Sequence, residues 1–399
     1  MSSILHYIWL VIQILIGYNL VLPVVFYLLW LIVPKRKLQP AFATERDYAI
    51  IVTAYEQTHT LGVVVDSILA VNYTNYLIYI VADNCDISNL HFADERVIVL
   101  RPETVLKSNV KSHFYAINNF KRPHTHLTIV DSDNLVDKAY LIELNNYFDS
   151  GFSAVQGPRK PKNLETTIAA LDAARDVYYH FYDGEVLFSL GSSAALAGSG
   201  MAFTTALYRE CLENFNFSGA GFDKVLQFEI LKRNYRIACA PNAVVFDEKT
   251  SQSGQLVNQR ARWINTWFKY SWFGFSLMVK GIGRFSINQF LFGVMLVRPP
   301  LFIFLLLGVL FFFINAIMLS WVAVWWAAAF ILFVAGFLIA LVHAHADKRI
   351  FAALKGIPGF ISIQVQSLLK AKDANKRSVA TSHFHAAKID DIKKEDNAN

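Results

Sequence analysis

Hydrophobic positions along this chain fall into long uncharged runs at both ends and short apolar runs between them. From residue 4 to residue 33 there is no Asp, Glu, Lys or Arg, and at about 1.5 Å per helical residue that run outreaches the roughly 30 Å hydrocarbon core of a bilayer. It predicts a membrane-crossing helix. The basic residues Lys35, Arg36 and Lys37 follow the run rather than precede it, the reverse of a cleaved signal peptide. Between 287 and 345 the only charged side chain is Arg298, which predicts two further crossings, near 299–319 and 320–342, with Arg298-Pro299-Pro300 as the entry point.

Two other stretches, 263–285 and about 350–371, mix aromatic or apolar residues with charge and lack an unbroken apolar run. They read as amphipathic helices lying at an interface, with a further crossing over 350–371 left open. The stretch 249–258, rich in Ser and Gln, reads as a mobile loop, and the polar tail from Lys370 as loosely ordered. Between the ends, Tyr48–Thr53, Leu77–Ala82, Val97–Leu100 and Leu127–Val130 are short, nearly continuous apolar runs separated by helical patterns. That alternation predicts an α/β domain on a mostly parallel sheet whose strands are buried on both faces.

The chain therefore divides into an N-terminal crossing over 1–37, a soluble domain over 38–262, interface helices over 263–286, two crossings over 287–345, and an amphipathic segment with a tail over 346–399. Basic residues flank the crossings, which places the soluble domain on the cytosolic side of an integral membrane protein. Composition agrees: of 399 residues 54% are hydrophobic and 17% charged, with mean hydropathy +0.35, too apolar for an ordinary soluble enzyme. The net charge of +6 gathers beside apolar segments, so it reads as topology and excludes nucleic acid as a partner. Cys85, Cys211 and Cys239 have no zinc-like spacing.

In parallel α/β sheets ligands bind beyond the carboxyl ends of the strands. Tyr55 and Glu56, Asp83, and the Asp131-Ser132-Asp133 triplet all stand at such ends. Two closely spaced carboxylates need a cationic partner, and Mg2+ or Mn2+ prefers oxygen ligands; a solvated polar turn has the same composition. Asp83 would equally cap a helix. Gly198-Ser199-Gly200-Met201 permits close backbone approach. Gln259-Arg260-Ala261-Arg262-Trp263 combines an amide, two guanidinium groups and an indole, a set suited to an anionic leaving group and a flat sugar face, and also to a membrane-interface belt.

In this order, and with these membrane flanks, the motifs resemble those of family 2 glycosyltransferases. The chain is similar to their membrane-embedded branch, which includes cellulose, hyaluronan, chitin-oligosaccharide and poly-N-acetylglucosamine synthases, and the likeness extends to Thr381-Ser382-His383. The resemblance implies a GT-A-like domain between transmembrane helices. It implies inverting transfer from a UDP-sugar to an acceptor hydroxyl, with Mg2+ or Mn2+, in processive synthesis of a β-linked polysaccharide; transfer of one or a few sugars to a lipid or lipid-linked acceptor is the alternative. By the same resemblance Asp133 would bind the metal, and Tyr55, Glu56, Asp83, Lys111, Asp131, Gln259, Arg260 and Arg262 the donor. Gly198, Ser199, Gly200, Met201 and Trp263 would bind the acceptor, and Asp223 would be the general base. His113 stands where relatives commonly have Lys, so the base contact is open between Lys111 and His113. Membrane lipid is an implied partner, and a homo-oligomer stays open.

Overall fold

A computed structural model describes residues 3–34, 45–215, 219–377, 389 and 391–392. Lys35–Lys37 and Thr381–His383 lie outside the described residues. The soluble part opens with β1 (Tyr48–Tyr55), α2 (Leu61–Leu69), β2 (Tyr76–Asp83), β3 (Val97–Leu100), α3 (Asn109–Asn118) and β4 (His126–Asp131), all preceded by the long helix α1 (Ser3–Ile32). β5 (Leu135–Val136), α4 (Tyr140–Asp149), β6 (Ala154–Gln156) and β7 (Arg159–Pro161) follow. α5 (Thr167–Tyr179) runs through a wide π turn at 180–186 into the short α6 (Leu187–Ser189). β8 (Met201–Thr204), α7 (Thr205–Leu212), α8 (Phe222–Lys232), β9 (Ile237–Cys239) and β10 (Val245–Asp247) complete the domain.

Seven strands form one sheet in the order β3-β2-β1-β4-β8-β6-β9. β3, β2, β1 and β4 are mutually parallel, and β8 runs antiparallel to both β4 and β6. The α/β class and mostly parallel sheet are those the apolar runs predict. β1 shows why its run is continuous: Ile50, Val52 and Ala54 enter the core on one face with Val64, Val65 and Ile68 of α2, while Ala49 and Ile51 enter the other with Val110, Ala116 and Ile117 of α3. A strand buried on both faces has no polar side to alternate with. A second, three-stranded sheet, β5-β10-β7, sits beyond the strand ends.

After the domain come α9 (Ser253–Tyr270), α10 (Trp272–Arg284), α11 (Ile287–Val297), α12 (Leu301–Ile317), α13 (Val322–His343), α14 (Lys348–Ala353) and α15 (Ile357–Leu369). Among the described residues two helices are long and apolar enough to cross a membrane, Ile4–Ile32 and Val322–His343. The expected crossing at 299–319 differs in detail. α12 reaches crossing length only together with α11, and the pair bends by 68° at Arg298-Pro299-Pro300, where Pro disfavours helix in the residue before it and lacks the N–H that would continue the ladder. α11 folds back on α10 because glycine lines the contact: a Cβ on Gly274 would stand 2.6 Å from the Gly293 carbonyl oxygen, and one on Gly281 2.6 Å from the Phe290 nitrogen. α15, with 13 residues, spans only about 20 Å and is too short to cross. The segment 249–258 is not simply a loop either, since α9 begins at Ser253 and Lys249 is buried.

The apolar helices are tied together by buried polar groups. Asn315 Nδ2 and Trp326 Nε1 both donate to Gln13 Oε1, at 2.6 and 2.9 Å, linking α12, α13 and α1. Such side chains satisfy one another where no water is available. This bundle docks on the soluble domain through the end of α5 and its π turn, where Tyr178, Phe181 and Tyr182 pack with Leu20, Phe304 and Phe333. Tyr182 also donates to the Gly336 carbonyl at 2.8 Å.

Candidate functional site

Register places the acids. In the parallel sheet Tyr55 of β1 lies opposite Asp83 of β2, and Thr53 lies opposite Asp131 of β4, so the three strands end along one edge. The small sheet adds to that edge: β5 begins two residues after Asp133, β10 ends at Asp247, and β7 begins at Arg159. A cavity of about 1860 Å3 opens there, lined by Tyr55, Asp83, Asp131, Asp133, Arg159 and Asp223, and by Gln259, Arg260, Arg262 and Trp263 from α9.

Asp131 is held by a built support. Its backbone N–H donates to Ser199 Oγ at 3.1 Å, and Asn134 Nδ2 donates to the same oxygen at 2.7 Å. Burial first, and the Asp133 carboxylate second, push Asp131 up to about 7; Asp247 and Asp223 add to the push and Arg159 opposes it. These charges thus act on one another within a single cleft. Among the described residues no group of three His, Cys, Asp or Glu forms a metal cluster, but a carboxylate pair, Asp133 buried and Asp131 half-buried, that resists its own second charge is a donor set suited to a hard divalent cation whose other ligands are phosphate or water oxygens. Asp131 and Asp133 fit that role.

Asp83 is buried and already engaged: Oδ1 accepts from Leu106 N at 2.9 Å and Oδ2 from Lys107 N at 2.7 Å. It therefore pins the 106–107 loop to the rim. Glu56 adopts φ 61° and turns outward, accepting from Asn84 Nδ2 at 3.3 Å; it does not line the cavity, whereas Tyr55 does. Lys111 lies exposed on α3 away from the cavity wall, and Lys107 takes the rim position. His113 is fully buried against Phe222 and bonded through Nδ1 to Tyr208 Oη at 2.7 Å, with burial holding it down to about 3. Neither residue weighed from the sequence for the base contact therefore lines the cleft.

Of Gly198-Ser199-Gly200-Met201, only Gly198 reaches the cavity. Ser199 and Met201 are completely buried, and Gly200, at φ 67°, packs where a Cβ would stand 2.9 Å from Val245 Cγ2. The motif's observed work is support of Asp131. Asp223 stands in the first turn of α8 after Gly221, φ 91°, and Lys224 Nζ lies 3.2 Å from its Oδ2. A Cβ on Gly221 would stand 2.5 Å from Thr266 Cγ2; glycine is what lets α8 seat Asp223 against α9.

Arg260 is buried. Its Nη2 pairs with Asp172 Oδ1, its guanidinium lies 3.8 Å from the Trp263 ring centroid, and its Nε and Nη1 have no partner among the described residues. Burial and the neighbouring Arg159 both disfavour its charge, so an anion beside it would be stabilised. Sequence reasoning missed the layer behind it. Arg159 approaches Asp176 at 3.4 Å and Asp247 at 3.5 Å; Lys249 Nζ lies 2.5 Å from Asp176 and 2.8 Å from Asp247; Arg175 bonds Asp176 at 2.5 Å and stands 4.7 Å from the Trp263 ring. Burial alone would raise Asp176, but Lys249, Arg175 and Arg159 outweigh it and hold it well below the usual carboxylate range. The available signal was Asp172, Arg175 and Asp176 at helical spacing on an otherwise Ala-rich segment.

Comparison with known proteins bears on the family and the fold. Residues 45–266 match the family model described as glycosyltransferase like family 2. Among solved structures the chain is similar to the mannosyltransferase PcManGT from Pyrobaculum calidifontis in complex with GDP-Man and Mn2+, with TM-score 0.52 and 14% identity over 90% of this chain and 98% of that one. No curated protein matches the sequence.

Proposed function

The chain belongs to glycosyltransferase like family 2, and from that premise we propose that it moves a sugar from a UDP-sugar to an acceptor hydroxyl with inversion at the anomeric carbon. What carries the reading is one cavity wall shared by the strand-end acids, Asp223 and the Gln259–Trp263 turn. Asp223 takes the proton as the acceptor oxygen attacks the anomeric carbon; the bond from that carbon to the UDP oxygen breaks, and its electron pair leaves with the diphosphate. Arg260 and Arg262, with Gln259, receive the developing charge, and Trp263 offers the acceptor ring an apolar face. Asp131 and Asp133 would hold Mg2+ or Mn2+, which when bound offsets the charge of the diphosphate. Tyr55 and Asp83 form the nucleotide end of the cleft.

Donor and acceptor are tested together. Purified full-length protein in Mn2+ or Mg2+ is offered UDP-glucose, UDP-N-acetylglucosamine, UDP-glucuronate and, because the structural neighbour binds GDP-Man, GDP-mannose. Nucleotide release with one donor supports transfer, and none with any donor removes it. Product length separates processive synthesis of a β-linked polysaccharide, which the resemblance to polymer synthases supports, from addition of one or a few sugars. The second reading gains weight from the apolar extension of the cavity. The basic flanks of the apolar runs support catalysis at the cytosolic leaflet.

A further inference from the structure

The cavity does not end at the acids. Beyond Trp263 it continues between α12, α13 and α15, where its walls are Phe302, Leu305, Phe333, Val334, Phe337 and Leu338. Val334 is 53% and Leu338 37% exposed, on a helix apolar enough to cross a membrane, so this limb is walled in part by apolar surface that a bilayer would cover. None of these six side chains can hydrogen-bond, and a glycan moved into the limb would lose water from its hydroxyls with nothing in exchange. A hydrocarbon chain would lose only unfavourable hydration.

Where the limb meets the polar cleft, two buried N–H groups point to an amphiphile. Trp267 Nε1 on α9 and Gln364 Nε2 on α15 line the same cavity, are shielded from solvent, and have no partner among the described residues; Gln364 is only 6% exposed. Buried donors are normally paired, so these two suit an oxygen of a polar headgroup lying between chain and sugar.

We infer that the acceptor is a lipid: its hydrocarbon chain lies in the limb between α12, α13 and α15, its headgroup oxygens meet Trp267 and Gln364, and its hydroxyl reaches Asp223. This rests on the sugar-transfer reading and names its acceptor class. Each methylene buried in such a limb is worth about fourfold in affinity. Binding should therefore strengthen steeply with alkyl length until the limb is full, and a water-soluble sugar should be a poor acceptor.

The experiment uses full-length protein and a series of free sugar and octyl, dodecyl and hexadecyl glycosides of the same sugar. Native mass spectrometry reads bound amphiphile, and steady-state kinetics read acceptor KM beside acceptor-independent donor hydrolysis. Expected results are one dodecyl glycoside bound and an acceptor KM at least tenfold lower for dodecyl than for octyl. Leu305→Trp and Val334→Trp, which fill the limb, should raise the dodecyl KM at least tenfold and remove the bound amphiphile while leaving donor hydrolysis unchanged. Gln364→Leu should raise KM without altering the dependence on chain length. Chain-length-independent KM, a growing polymer on free sugar, or Trp variants that bind dodecyl glycoside as the native protein does would overturn the lipid acceptor. Bound amphiphile without nucleotide release from any donor would retain the lipid site and remove sugar transfer instead.

Discussion

The guanidinium of Arg260 lies 3.8 Å from the ring centroid of Trp263, one turn further along the same helix, and is held there by Asp172 on α5. Stacking and pairing use one face and one edge, which leaves Nε and Nη1 for an anion. A lysine has no planar edge to divide in this way. Arg260→Lys is expected to weaken UDP binding at least tenfold with Mn2+ present, measured by calorimetry; an unchanged Kd would remove the arginine from the diphosphate's surroundings.

Asp223→Asn keeps the shape of the α8 terminus and removes the proposed proton acceptor. UDP affinity should persist, while turnover falls by roughly two to four orders of magnitude. Full turnover in this variant would reassign the base.

Gly221 has both a left-handed φ of 91° and no room for a Cβ beside Thr266. Gly221→Ala should displace Asp223 from α9 and lower kcat at least tenfold, with UDP affinity little changed. Equal losses in binding and turnover would instead indicate general unfolding.

The Asp131 carboxyl is pushed up to about 7 from an ordinary 3.8 by burial and then by Asp133. Between those two values the native state binds more protons than the unfolded chain, so this group's contribution to stability declines as pH rises through that window. The buried His113 and His126, depressed to about 3 and about 4 by burial, act in the opposite direction below pH 6.5, so the comparison must be with a variant. In chelator, Asp131→Asn should gain melting temperature relative to the native chain from pH 5 to pH 8. Mn2+ should raise the native melting temperature at pH 8, where it meets two carboxylates, and not that of Asp133→Ala. A difference that does not vary with pH would contradict the raised carboxyl.

Lys249 sits 2% exposed between Asp176 and Asp247. Removing it takes from two buried acids a cation that Arg159 and Arg175 replace only in part, and breaking a buried pair outright costs about 3–5 kcal/mol. Lys249→Ala should lower the melting temperature markedly. The double variant with Asp176→Asn should recover part of that loss, and no recovery would show that the pairing is not the cause.

Much of this molecule could be read before any coordinates. The apolar runs over Tyr48–Thr53, Leu77–Ala82 and Leu127–Val130 became adjacent parallel strands because a run buried on both faces has few other stable forms, and that pairing carried Tyr55, Asp83 and Asp131 to one edge. The gathering of Asp223 and the Gln259–Trp263 turn at that edge agrees with the motif order. Lys111 and Glu56 were harder to place: each neighbours a cavity residue in sequence, but one lies exposed on α3 and the other adopts a positive φ.

Local pattern, which repeats every two or about 3.6 residues, was enough to specify the strands, the long apolar helices and the acids at the strand ends, because each depends on neighbours within a few positions. Which charges face one another depends on contacts between residues far apart in the chain. Arg159 with Asp176 and Asp247, Arg260 with Asp172, and Ser199 beneath Asp131 came together only when the small sheet and α5 packed over the strand ends. The same packing joined the polar cleft to the apolar limb between α12, α13 and α15, since no periodicity records where two helices leave a gap.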